Sequence, residues 1–253
     1  MLDEQIPQSQ NQIVTENFNE IELDEIEIEE ALRLARERKH YRLKEIAYRE
    51  SLTRKPVYPA YTADELEGFY KNKFEIDEEN REVVLNILQY FTSDPRFNGN
   101  LEKGLFLMGG VGVGKTTLMR FFCRNQKRSF KIESCREAES KFAQDGDEYL
   151  HKLSHNIPIA INSDPFGHTE IGFCFDDLGT EANGKHFGKE KNVMAEILLN
   201  RYDNDLPYAS THVTTNLTAN EIKEQYGSRV TDRIREMFNI IQFPVNAKSR
   251  RKK

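Results

Sequence analysis

Long apolar runs are missing from this chain of 253 residues. No stretch approaches the ~20 apolar residues that a membrane-spanning helix needs, so no membrane partner is expected. The N-terminus, MLDEQIPQSQ, is acidic and polar where a secretory signal would be basic and then apolar. Cysteine is scarce: Cys123, Cys135 and Cys174 form no C-x-x-C pair and leave an odd one over. That count excludes a disulfide framework and fits reduced thiols packed in a cytoplasmic core. No H-E-x-x-H is present; His151 and His155 have i, i+4 spacing, but no third ligand accompanies them, so they do not read as a zinc site. N-K-x-D is absent too, which argues against a GTPase.

Charge of one sign is absent from one end of the chain. Residues 1–30 hold ten acidic side chains and no Lys or Arg, whereas 31–55 hold nine Lys or Arg against three Glu. The last six residues add five positive charges, so the net charge of −6 hides a sharp partition that leaves room for local basic contacts. The first twenty residues are polar and read as disordered. From Asp24 to Leu52 Gly and Pro are missing, and Ile28, Leu32, Ala35, Leu43, Ile46 and Ala47 fall at near-helical spacing, predicting a helix with an acidic start and a basic end. The segment 1–60 therefore reads as an acidic tail and a charged, partner-binding helix.

Beyond Pro56 and Pro59, helices are expected over Ala63–Lys73 and from Asp77 to Asp94-Pro95. Strands are expected at Gly104–Met108, Phe130–Ile132, Ile171–Phe175, His212–Thr215 and Ile240–Phe243. Helical stretches lie between them: one after the first strand, a polar one running to His155, Val193–Tyr202, and Ala219–Phe238 broken at Gly227. Strands alternating with helices, without internal repeats, predict an α/β fold with a parallel sheet covered on both faces.

Between the first of these strands and its helix lies GGVGVGKTT: Gly109, Gly110, Val111, Gly112, Val113, Gly114, Lys115, Thr116 and Thr117. It matches G-x-x-x-x-G-K-[ST] in the strand-turn-helix context that the P-loop pattern requires. Glycines let backbone N–H groups turn toward phosphate oxygens without a Cβ clash, and the helix N-terminus adds its positive end. Lys115 is expected to reach the β- and γ-phosphates of ATP, and the Thr116 hydroxyl to ligate Mg²⁺.

A second apolar strand runs into Asp176-Asp177, where ligands gather beyond the carboxyl ends of parallel strands. Alone, the pair would be capping aspartates; beside a P-loop, Asp176 reads as a metal ligand through water and Asp177 as the group that orients or deprotonates the attacking water. Thr214-Thr215-Asn216 ends another strand, and the Asn216 amide could meet the γ-phosphate or the water, although Asn is also a common turn residue. In GSRVTDRI, Arg229 and Arg233 lie one helical turn apart. Arg229 could pair with Asp232 on the surface, or project into the nucleotide site of a neighbouring subunit.

Arranged in this order, GGVGVGKTT, FCFDD, TTN and GSRVTDR resemble the AAA+ ATPases of the DnaC/IstB group, the helicase loaders and transposition helper ATPases. The resemblance covers roughly residues 75–253. It implies an AAA+ P-loop core with Walker A, Walker B, sensor 1 and arginine-finger roles on those four motifs, and no helical lid after the core. The group's closing G-x-S-x-R is approximated by Ala247-Lys248-Ser249-Arg250-Arg251, with Ala in place of Gly. Many AAA+ proteins have Asp-Glu where this chain has Asp176-Asp177; the shorter carboxylate implies slow hydrolysis suited to a switch. The resemblance further implies a replicative DNA helicase and single-stranded DNA as partners and a homo-oligomer closed by a trans arginine finger, with an IstB-like transposition helper as the near alternative. A small-molecule P-loop kinase and a nucleotide-gated adaptor without useful hydrolysis are readings from other classes.

Overall fold

The computed structural model describes residues 24–53, 60–70, 73–160, 163–181, 184–186 and 189–250. The chain divides into two compact units, Met1–Pro56 and Val57–Lys253. In the first, helix α1 (Glu25–Thr53) begins at Asp24, whose carboxylate accepts from Glu27 N–H (2.8 Å) while the Glu27 carboxylate accepts from Asp24 N–H (3.0 Å). Its described apolar side chains, including Ile28, Leu32, Leu43 and Ile46, are exposed. The basic residues sit in the body of α1, and its last turn carries none, so the expected basic helix end is not where the dipole would favour it. Ala47, the last residue of the expected stripe, has its side chain outside the described residues, as do the N-terminal twenty residues read as disordered.

The second unit opens with α2 (Ala63–Tyr70) and α3 (Arg81–Phe91). The helix expected from Asp77 begins at Arg81 instead, because the Asp77 carboxylate accepts from Glu79 N–H (3.0 Å) and Asn80 N–H (3.1 Å) and closes a turn first. There follow β1 (Gly104–Met108), α4 (Lys115–Phe121), β2 (Phe130–Ser134), α5 (Cys135–Asp145), α6 (Asp147–Leu153), β3 (Ile157–Pro158) and β4 (Glu170–Leu178). A small antiparallel pair, β5 (Gly184–His186) and β6 (Lys189–Lys191), leads to α7 (Val193–Asp203), β7 (Thr211–Thr215), α8 (Ala219–Met237) and β8 (Phe238–Gln242). The polar stretch expected as one helix to His155 is two, parted at Gly146, whose φ of 59° lies in the left-handed region.

Five strands pair in parallel in the order β2-β4-β7-β1-β8, and β3 adds antiparallel to β4. This is the α/β architecture anticipated, a parallel sheet flanked by helices. Alternation along β1 explains its two cores: Phe106 and Met108 face one cluster with α5 to α8, and Leu105 and Leu107 face another with α2, α3 and α4. Because the strands run the same way, the carboxyl ends of β1, β4 and β7 lie side by side, with β7 seated between the other two. Among the described residues, no helix is long and apolar enough to cross a membrane.

Candidate nucleotide site

A cavity of about 820 Å³ opens at those strand ends, lined among others by Gly112, Lys115, Thr116, Asp176, Asp177 and Asn216. The loop that shapes it needs glycine at particular points. Gly114 caps α4 with φ 105°, and a Cβ there would fall 2.6 Å from the Phe74 ring. At Gly109, where β1 leaves the sheet, a Cβ would stand 2.7 Å from the Phe243 Cβ. Both positions therefore exclude ordinary side chains, by steric contact and, at Gly114, by backbone conformation as well.

Lys115 is only 4% exposed, yet it is well supplied with oxygen. Its ammonium donates to the Gly109 carbonyl (2.8 Å), the Gly110 carbonyl (3.0 Å) and Asn216 Oδ1 (2.7 Å). That is a favourable way to hold a buried cation: the partners are neutral dipoles that an anionic phosphate can outcompete. The same Asn216 donates through Nδ2 to Asp177 Oδ1 at 3.4 Å. The P-loop lysine, the end of β7 and the end of β4 are thus joined by one amide side chain.

A second chain of contacts runs beside the first. The Thr116 hydroxyl donates to Asp176 (2.8 Å to Oδ1), and the Thr214 hydroxyl donates to the same oxygen (2.6 Å). Thr214 in turn accepts from Asp177 N–H at 3.0 Å. One buried threonine consequently orients both aspartates. Asp177 has φ 58°, and the β4–β7 register shifts between Phe175 and Leu178. A bulge of this kind lets neighbouring residues face the same side, so both carboxylates line one cavity rather than opposite faces of a strand.

The Thr116–Asp176 pair fits Mg²⁺. That ion is held in nucleotide sites by one or two carboxylates and a hydroxyl together with substrate phosphates, and a protein cage is not required. Among the described residues there is no cluster of three or more His, Cys, Asp or Glu placed to hold a metal. His155 Nδ1 lies 2.9 Å from the His151 carbonyl oxygen, and Nε2 lies 3.3 Å from Asn204 Nδ2.

The expected site residues divide by position. Val111, Gly112, Gly114, Lys115, Thr116, Thr117, Asp176, Asp177 and Asn216 line the cavity. Gly109 and Gly110 serve it through the carbonyls that hold Lys115, and Val113 is buried in the core under the loop. Arg229 stands elsewhere, on α8, with its side chain 69% exposed and 3.7 Å from Asp203. Asp232, its alternative partner by spacing, pairs with Arg235 at 3.6 Å. Arg233 lies over the Tyr202 ring at 4.0 Å.

Sequence reasoning did not single out Thr214, Lys73, Phe74, Glu75, Arg120 and Arg250 as site residues, yet Thr214 orients both aspartates and the other five line the cavity. Thr214 had a nearby signal, in the Thr-Thr-Asn strand end. Arg120 follows the P-loop on α4 and Arg250 falls in the closing Ala247–Arg251 stretch, whereas Lys73, Phe74 and Glu75 belong to a distant segment that no local pattern joins to the P-loop.

No family model and no curated protein matches the chain. Solved structures do resemble it in part. A DnaC helicase loader is 19% identical, with 68% of this chain and 93% of that one covered at a TM-score of 0.46. A Streptococcus pyogenes protein described as a primosome component is 17% identical, covering 69% and 84% at 0.46. AMPPCP-bound DnaA from Aquifex aeolicus is 16% identical, covering 76% of this chain and 52% of that one at 0.43.

Proposed function

We propose that the chain is an ATP-dependent, DnaC-like helicase loader in which nucleotide binding and slow hydrolysis switch assembly and release. The observation that carries the ATPase part is the convergence of Lys115, Thr116, Asp176, Asp177 and Asn216 on one cavity, cross-linked through Asn216 and Thr214. Lys115 meets the β- and γ-phosphates and Asn216 holds the ammonium in place. Thr116 and Asp176 would hold Mg²⁺, which when bound draws negative charge from the phosphates. Asp177, pinned by its backbone N–H to Thr214, orients the attacking water together with Asn216.

The partner part of the proposal rests on other observations. Helix α1 belongs to its own unit, carries an acidic start followed by a basic body, and exposes large apolar side chains that a partner could cover. Arg229 is exposed on α8, free to meet the nucleotide of a neighbouring subunit. The motif resemblance adds a replicative helicase and single-stranded DNA as the partners.

Two measurements test the proposal. In a steady-state assay Asp177→Asn lowers ATP turnover by about 100-fold while leaving ATP binding intact; undiminished turnover removes Asp177 from the mechanism. In a pull-down, the full chain captures helicase and a chain lacking residues 1–60 does not. Helicase capture that survives the deletion sinks the docking role, and capture of a transposase instead moves the assignment to an IstB-like helper.

A further inference from the structure

Arg250, beyond the end of β8, lines the cavity beside the P-loop. Its backbone N–H donates to the Gly112 carbonyl at 2.9 Å, which fixes one peptide plane at the tip of the loop. Its guanidinium donates to Asp77 Oδ1 (2.8 Å) and Oδ2 (2.6 Å), and to the Lys248 carbonyl (3.2 Å). Glu79 lies 3.6 Å away. The turn at Asp77 follows Phe74 and Glu75, which line the same cavity, so the arginine is held where two distant segments meet the P-loop.

The side chain is only 9% exposed. Its Nε is buried and has no hydrogen-bond partner among the described residues. A buried guanidinium N–H without an acceptor is costly, and arginines that line a cavity are suited to anionic oxygen. Under the proposed function, Lys115 and Asn216 already supply donors for the terminal phosphate. Arg250 contacts neither Lys115 nor Asp176 through any of the bonds above; its ties are to Gly112 and to the turn after Phe74.

We propose that Arg250 is a nucleotide-binding residue acting in cis, its guanidinium meeting the part of the nucleotide common to a nucleoside diphosphate and triphosphate. Asp77 holds the guanidinium in place. This rests on reading the cavity as a nucleoside-triphosphate site. It assigns Arg250 a role inside the site, separate from any contact with DNA.

The test is equilibrium binding of fluorescent ADP and ATP analogues to the full chain and to Arg250→Ala, Arg250→Lys, Asp77→Asn and Lys115→Ala. Arg250→Ala removes the guanidinium but keeps the backbone bond to Gly112. It is expected to weaken both nucleotides by the same factor, about tenfold or more, with Arg250→Lys recovering part of the loss. Asp77→Asn keeps one side-chain oxygen that can accept from the Arg250 guanidinium and is expected to keep binding within about threefold. A loss confined to ATP places Arg250 on the terminal phosphate and overturns the proposal. A loss from Asp77→Asn equal to that from Arg250→Ala makes the arginine a structural brace and overturns it as well, as does unchanged binding in Arg250→Ala. Wild-type protein that binds neither nucleotide defeats the site reading and this inference together. Binding lost in Lys115→Ala but untouched in Arg250→Ala defeats this inference alone. Thermal unfolding without nucleotide checks the fold, and if Arg250→Ala does not fold, Arg250→Lys decides by the same comparison of ADP with ATP.

Discussion

The cavity at the end of β1 and the outer face of α8 are built on opposite principles, although the motifs give each a part in the same reaction. Around Lys115 every functional side chain is held by others: ammonium to Asn216, Asn216 to Asp177, Asp176 to both Thr116 and Thr214. Around Arg229, among the described residues, stands a long contact, 3.7 Å to Asp203, between two exposed side chains. A preorganised network has already met the entropy and desolvation costs of ordering its groups, so it can act within a single chain. An exposed arginine has not, and it gains an electrostatic role only where a partner excludes water from around it. The contrast teaches where to look for each half of the proposed chemistry: binding inside the chain, and the proposed acceleration by Arg229 at a contact between chains.

The largest expected effect comes from Lys115→Ala, which removes a buried cation and leaves Asn216 Oδ1 without the ammonium that donates to it. It should cost about 2–5 kcal/mol of ATP binding, read by fluorescence titration and independent of protein concentration. A concentration-dependent loss would break the contrast, because it would tie Lys115 to assembly. Next comes Gly114→Ala. The new Cβ meets the buried Phe74 ring and φ 105° is strained for any L side chain, so about 1–3 kcal/mol of stability should disappear in chemical denaturation.

Acid sharpens the same contrast from inside β7, the strand that delivers Asn216. His212 is buried among Tyr90, Phe91 and Phe130, and its Nδ1 accepts from Leu105 N–H at 3.0 Å. Burial, with Lys127 and Arg201 adding to it, pushes its pKa down to about 3 from 6.5. The unfolded chain therefore takes up the proton first: stability from this group is full above pH 6.5 and falls as pH drops toward 3. The folding constant should decline by up to about tenfold per pH unit in that window, and His212→Gln should flatten the slope in a pH series of denaturation curves. A wild-type slope matched by the variant would remove His212 as the cause.

Arg229→Ala should do least to the isolated chain. Stability changes by no more than about 0.5 kcal/mol and ATP binding is unaltered, while turnover falls only at concentrations where chains assemble. An equal loss of turnover in dilute monomer, followed by sedimentation and ATPase assay on the same samples, would show that the arginine acts in cis and erase the distinction between the two regions.

Much of the fold is readable along the chain. The apolar runs Gly104–Met108 and Ile171–Phe175 could bury both faces only in a covered parallel sheet, and both are strands with the bounds of the first unchanged. Short elements escaped. Strand β3 has two residues and β5 and β6 three each, too few for a period-two pattern to appear. Gly146 and Asp77 shifted helix boundaries because a left-handed residue and an aspartate turn are set by local hydrogen bonds that hydrophobic spacing does not register.

The site divides along the same line. The P-loop, the paired aspartates and the strand-end asparagine were legible because each is a short motif whose backbone setting travels with it. How both aspartates come to line one cavity was not, since it depends on the bulge at Asp177 and on a threonine from the neighbouring strand. By itself the sequence determined which residue types stand at the carboxyl ends of which strands, because apolar periodicity and glycine placement act within a few residues. Only the tertiary structure decided that Phe74 and Arg250 line the cavity, with Asp77 paired to Arg250, while Arg229 stands outside it on α8. The parallel order β2-β4-β7-β1-β8 is settled by burying both faces of the sheet at once, a condition on the whole chain that no local segment can meet alone.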